Sequence, residues 1–297
     1  ELVEAVPDLV CFARLRVEQT CNVGSSNITF AHWRAIARRI DAVFTDESDV
    51  AGVVITHGTS TIEETAYFLN LTVRHDRPVV LVGSQRPPTA LSADGPLNLV
   101  SAVRTAACPE SRGRGVLVVL NDEINAARDV TKSNTYRPET FRSGELGFLG
   151  YVDQDKVAFY RSPDKRHTVS SEFELDALGE FPGVEIVYSS VEANTPLLIE
   201  TQQKAGVRGI VFAATGAGSL SEREKEAVKQ SVARSAETVF VRSSRVGNGR
   251  VIGRSEFDPL GIIPADNLSP QKARILLMLA LARTSDLDEL RRIFSQY

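Results

Sequence analysis

The chain has 297 residues, 42% of them hydrophobic and 24% charged, with a formal net charge of -4. That length can bury a large core and points to two domains. The acidic balance and the lack of a basic run argue against nucleic acid as a partner, and no apolar stretch is long enough to cross a membrane. Cys11, Cys21 and Cys108 are an odd, sparse set. They do not form a disulfide framework, no Cys/His spacing resembles a zinc site, and no metal or cofactor is expected. The chain begins with Glu1 rather than Met, so a signal peptide is neither legible nor excluded.

Leu9 to Val23 reads as strand material through Val10, Phe12, Leu15 and Val17, with a turn over 22–27. Thr29 or Asn27 can cap a helix from Phe30 to Phe44, in which Ile36, Ile40 and Phe44 recur at helical spacing. His32 and Trp33 in its first turn read as packing or surface residues. Gly52 to Ile55 is an apolar, mostly β-branched strand, followed by small hydroxyl residues around Gly58. An amphipathic helix comes next, with Ile62, Ala66 and Leu69 on one face. Glu63 and Glu64 lie in its first turn, where the helix dipole favours acid. A strand, turn and helix in this order put Thr59 and Ser60 at the carboxyl edge of a sheet, where open α/β folds bind ligands. Backbone N–H groups there suit an anion. The plain alternative is that these two residues only cap the helix, as Ser and Thr commonly do.

Pro78 to Gly83 is a second short buried strand, and 84–89 is an irregular loop. The segment 92–98 leads into a helix through Val103, and Gly115 to Leu120 is a third strand closed by Asn121 and Asp122. Alternating strands and helices predict a parallel sheet with helices on both faces. The stretch 127–135 is polar without a clear period, and a lone lysine such as Lys132 is usually solvated there. From Asp153 to Pro182 the composition turns polar, which reads as linker and rim. A second α/β set follows, with strands at Val184–Tyr188, Gly209–Ala213 and Thr238–Ser243 and helices at Leu197–Gln203, Glu222–Ser235, Pro270–Leu281 and Asp286–Phe294. The glycine-rich turn from Thr215 to Ser219 lacks the following acid of a dinucleotide fingerprint, which argues against a nucleotide. The expected organisation is an N-terminal domain over 1–160, a linker over 161–181 and a C-terminal domain over 182–297.

Several separated blocks resemble bacterial L-asparaginases, in that family's order and over the whole chain. They are 52–73, 78–83 continuing to 92–99, Asn121-Asp122, 128–135, 141–143, 242–246, 269–274 and the tail 293–297. The resemblance implies a two-domain α/β asparaginase-like fold. Its larger N-terminal domain holds a mainly parallel sheet flanked by helices, and its C-terminal α/β domain is smaller. It also implies an amidohydrolase that releases ammonia from a side-chain or related carboxamide without a metal. Such enzymes act as homodimers or homotetramers whose sites are completed across subunits. By position, Thr59 and Lys132 match a catalytic pair. A hydroxyl is a weak nucleophile or water-orienter without a base, and a desolvated lysine can lose its proton and serve as one. Ser25 matches the residue that holds the substrate α-carboxylate. Glu256, aligned across a gap, matches an acid that reaches a neighbouring subunit's site.

The departures from the family pattern carry expectations of their own. The family's first strand and its Thr-Gly-Gly-Thr-Ile turn, with the nucleophilic threonine, have no counterpart. Without a central strand a sheet keeps an exposed edge, so those residues are expected to precede Glu1 in the natural protein. Ser60 stands where the family has an aspartate, Ser26 where it commonly has a glutamine, and Ser219 where it has an asparagine. All three family residues meet the substrate ammonium. A buried ammonium without an ionised partner costs on the order of several kcal/mol, so the expected substrate is an amide without a free α-ammonium. A dicarboxylic monoamide, an N-substituted asparagine and a cyclic amide or imide all qualify. The alternatives are an impaired homologue that binds a small amide or amino acid, and an isomerase using the same site. The family's periplasmic members often carry a disulfide flanking the central block. The matching positions here, near Asp49 and His75, are not cysteine, which points to the cytoplasm over the periplasm.

Overall fold

The computed structural model describes residues 6–234 and 237–297. Glu1 and the predicted helix end at Ser235 lie outside the described residues. The chain divides into two compact units, Glu1–Glu172 and Phe173–Tyr297.

In the first unit, strands β1 (Val53–Thr56), β2 (Val79–Val82) and β3 (Val116–Leu120) run parallel, with Val53 opposite Val79 and Val79 opposite Val116. Helices α1 (Phe30–Asp46), α2 (Ile62–Thr72) and α3 (Gly95–Ala107) alternate with them. Successive strand residues face opposite sides. Val80, Val82, Leu117 and Val119 therefore meet Leu99, Ala102, Val103 and Ala106 of α3, while α2 packs on β2 and β3 and α1 packs on α2. Thr29 caps α1 as its type predicts. The His32 N–H donates to Thr29 Oγ1, and His32 Nδ1 accepts the Thr29 N–H at 3.0 Å, a reciprocal cap.

Two features of this unit differ from the expectation. Leu9–Val23 is not a strand: Pro7–Cys11 forms a 3₁₀ turn and no described strand pairs with 12–24. Pro7 at the first helical position favours the turn. Val10 and Val17 are 76% and 70% exposed, so no sheet buries one face of the segment. Beyond Leu120 the chain turns back as β4 (Glu123–Ala126), with Leu120 opposite Glu123. The two loop residues, Asn121 and Asp122, have φ of 54° and 60°. A two-residue hairpin of this kind needs the left-handed region at both positions, which Asn and Asp tolerate. Strands β5 (Thr131–Lys132) and β6 (Phe141–Arg142) form a separate two-residue ribbon, and β7 (Gly150–Val152) and β8 (Val157–Phe159) extend the sheet antiparallel. The order is β1-β2-β3-β4-β7-β8. The parallel expectation holds for β1 to β3, and the sheet as a whole is mixed.

The second unit contains β9 (Val184–Tyr188), α4 (Thr195–Lys204), β10 (Gly209–Ala214), α5 (Glu222–Arg234), β11 (Val239–Ser244), β12 (Ile263–Pro264), α6 (Pro270–Leu281) and α7 (Leu287–Gln296). Its sheet is parallel throughout, in the order β12-β11-β10-β9. Ile210, Phe212 and Phe240 pack against Ile199 of α4 and Ala227 and Val228 of α5. The apolar α6 packs against β9, β10 and β11. Ser221 and Glu224 form a capping box at the start of α5.

Candidate active site

The turn between β1 and α2 is held at His57, Gly58, Thr59 and Thr61. The His57 N–H donates to Val82 O at 2.8 Å, continuing the β1–β2 pairing by one residue. The N-cap of α2 is Thr61, whose hydroxyl donates to Ser25 O at 2.7 Å and not to its own helix. The capping position therefore falls to neither Thr59 nor Ser60. Gly58 lies so close to Ser25 that an added methyl would meet Ser25 Oγ at 2.7 Å. Gly83, at the end of β2, is as tightly placed: a methyl there would meet His57 O at 2.7 Å and Thr59 Cγ2 at 3.1 Å.

Into this turn reaches the β5–β6 ribbon. Lys132 Nζ donates to Thr59 Oγ1 at 2.9 Å, and both residues are half-buried. The Lys132 backbone N–H donates to Glu63 Oε2 at 2.9 Å. Glu63 thus ties the ribbon to the first turn of α2, a role its sequence position did not reveal because the two residues lie 69 apart. Lys132 forms no salt bridge among the described residues. The backbone N–H groups of Thr59 and Ser60 take no hydrogen bond among the described residues. Ser25 is buried, while Ser26 and Ser60 are exposed. The turn can present an amine, a hydroxyl and two free N–H groups to one small molecule. That is the equipment for holding an anionic group beside a proton-transfer pair.

Ser219 and Glu256 belong to the second unit. Ser219 is exposed and closes the glycine-rich turn by a bridge to Thr215. Arg242 supports that turn by donating to Gly218 O at 2.6 Å and to Ile252 O at 2.9 Å. Burial lowers the pKa of its guanidinium to about 10. Glu256 Oε2 receives Lys225 Nζ at 2.6 Å, which holds its carboxyl below the usual range. Among the described residues, no group of three or more His, Cys, Asp or Glu side chains is gathered as a metal site requires.

Two histidines in the first unit, His57 and His167, have pKa values pushed down by burial. The unfolded chain therefore binds more protons than the folded one just below the ordinary histidine value, so acidification favours unfolding. Stability from both groups is present above pH 6.5 and is lost as pH falls through their lowered values. The expected result is a melting temperature that falls from pH 7 to pH 5, with a shallower slope in His167→Gln; parallel slopes would contradict it.

The family model described as "Asparaginase, N-terminal" matches residues 1–165, and that described as "Glutaminase/Asparaginase C-terminal domain" matches residues 183–294. L-asparaginase 2 of Bacillus subtilis is 45% identical over 296 residues, covering 100% of this chain and 78% of that protein. L-asparaginase 2 of Escherichia coli is 44% identical, covering 100% and 84%. The crystal structure of a probable cytoplasmic L-asparaginase from Campylobacter jejuni superposes with a TM-score of 0.95 at 42% identity, covering 100% of this chain and 93% of that one. The class so defined is a two-domain α/β hydrolase of amide C–N bonds. The chain belongs to the asparaginase family.

Proposed function

We propose that the turn at Thr59 is the reaction centre of this amidohydrolase and that its substrate is a small carboxamide bearing a carboxylate but no free α-ammonium. The observation that carries the reading is the 2.9 Å contact of Lys132 Nζ with Thr59 Oγ1, made across 73 residues of chain. In its neutral form the amine takes the proton of the Thr59 hydroxyl, or of a water aligned by it, as oxygen attacks the amide carbon. The proton then passes to the departing nitrogen, which leaves as ammonia; where the Thr59 oxygen has attacked, a water then cleaves the resulting ester, freeing the acid and restoring the hydroxyl. Ser25 and the free N–H groups of Thr59 and Ser60 receive the substrate carboxylate.

The substrate class follows from charge. The free N–H groups of the turn favour an anion, while Ser60 and Ser26 present hydroxyls that cannot neutralise an ammonium. Comparing L-asparagine with succinamate, the same amide without its amino group, tests this. Succinamate should be hydrolysed with the higher kcat/KM. Ser60→Asp should raise kcat/KM on L-asparagine about tenfold or more, the worth of one hydrogen bond to a charged group. Ordinary efficiency on L-asparagine, not improved by removing the amino group, would reject the substrate class.

Glu256 is exposed on the second unit and suits the role of an acid offered to a neighbouring copy in a homodimer or homotetramer. Loss of activity on dilution to monomers, and in Glu256→Ala at unchanged assembly, would support that role. Relatives of this chain include a probable periplasmic L-asparaginase from Haemophilus influenzae as well as the probable cytoplasmic one. The three free cysteines favour a reducing compartment for this chain.

A further inference from the structure

A chain of hydrogen bonds, buried at its far end and exposed at its near end, stands behind the Thr59 turn. Trp33, on α1, donates its indole Nε1–H to Thr65 Oγ1 at 2.8 Å. Thr65, on α2, lies 2.9 Å from His57 Nε2, and His57 Nδ1 lies 2.7 Å from Gly58 O. Trp33 is 5% exposed and Thr65 is fully buried. The proton positions follow from donor and acceptor chemistry. A carbonyl only accepts, so Nδ1 carries the hydrogen toward Gly58 O. Burial disfavours the charged ring, and in the neutral ring with Nδ1–H the other nitrogen, Nε2, is an acceptor. The Thr65 hydroxyl, already accepting from Trp33, therefore donates to Nε2.

The chain ends on the peptide bond that enters Thr59. In a planar trans peptide the carbonyl and the next N–H point in opposite directions, and no cis peptide is present. Holding the Gly58 carbonyl against the imidazole therefore aims the Thr59 N–H the other way. Because the His57 backbone is fixed to Val82 and crowded by Gly83, the ring is the remaining adjustable support of this peptide.

We propose that His57 is a positioning residue, kept in the Nδ1–H tautomer by Thr65 and Trp33, that orients the Gly58–Thr59 peptide and with it the hydroxyl that receives Lys132. The proposal rests on the reading of Thr59 and Lys132 as the reaction centre.

The first test is independent of activity. The chain has four histidines, and nitrogen-15 NMR of their rings reports which nitrogen carries the proton. His57 should show a protonated Nδ1 and a bare Nε2. His32 is an internal opposite, since its Nδ1 accepts the Thr29 N–H. A protonated Nε2 with a bare Nδ1 at His57 would overturn the proposal, whatever the variants do.

The second test uses Thr65→Val, which keeps the shape and removes the donor, and Thr65→Ser, which keeps the donor. Displacing the Thr59 hydroxyl from Lys132 should lower kcat on succinamate about tenfold in Thr65→Val, misaiming the N–H that receives the carboxylate should raise KM as well, and Thr65→Ser should restore both. Both variants should hold a single folded state by melting. A Thr65→Val enzyme with wild-type kcat, or a Thr65→Ser enzyme as slow as Thr65→Val, would overturn the proposal. Inactivity of Lys132→Met alongside a fully active Thr65→Val would reject this inference alone, whereas an active Lys132→Met would reject the reaction centre itself.

Discussion

Lys132→Met should lower kcat about 10³-fold, the middle of the range that positioned proton-transfer groups supply, while its melting temperature moves little. Methionine keeps the length and the apolar stem and removes only the amine that reaches Thr59 Oγ1. The lost stabilisation is that of one half-buried hydrogen bond, about 1 kcal/mol. Thr59→Val should be as damaging, because it removes the other half of the same pair. The informative measurement is the double variant. Groups that act as a unit are strongly non-additive, so Lys132→Met with Thr59→Val should be no slower than the worse single change. Two losses that multiply in full would mean that the lysine and the hydroxyl act separately, and the paired mechanism would fail.

Gly83→Ala is expected to cost about 10²-fold in kcat/KM, because small displacements of positioned groups carry penalties of that size. The new methyl would sit 2.7 Å from the His57 carbonyl oxygen and 3.1 Å from Thr59 Cγ2. The first of these neighbours is backbone and cannot swing aside. The strain must pass into the turn, moving the hydroxyl relative to Lys132. Overpacking of this kind also destabilises by about 1–3 kcal/mol, so activity and melting are measured together. Unchanged kcat/KM in a folded Gly83→Ala protein would show that the turn tolerates movement and that catalysis does not depend on its rigidity.

The parts of the fold that the sequence made legible share one property: their own residues are enough to specify them. Val79 to Val82, Val116 to Leu120 and Ile275 to Leu281 are continuous apolar stretches that specify buried elements by themselves. Thr29 caps its helix through a neighbour three residues away. The segment 9–23 misled because a strand is defined by its neighbour, and the apolar residues Val10, Phe12, Leu15 and Val17 cannot say whether one exists. Sequence marks Asn121 and Asp122 only as the close of a strand, not as a hairpin. Their positive φ values are what turn a parallel sheet into a mixed one.

The candidate site was legible to a different degree. Periodicity placed Thr59 and Ser60 at a sheet edge but gave Lys132 no role, and family resemblance alone joined the two. Sequence position reads Glu63 as a dipole partner and Trp33 as a packing or surface residue, and gives Thr65 no role. Their hydrogen bonds run to residues 69, 8 and 32 positions away on other elements. No local pattern encodes such contacts.

The amine at the centre of the proposed chemistry is carried by a ribbon of two residues per strand, outside both sheets. Phe141 is the buried side chain of this ribbon, and opening two residues per strand costs less free energy than melting the whole domain. Mild denaturant can therefore lift this flap and silence the enzyme while circular dichroism still reports an intact protein. Inactivation and unfolding become separate events, and the carboxylate of Glu63 is the latch that sets the distance between them.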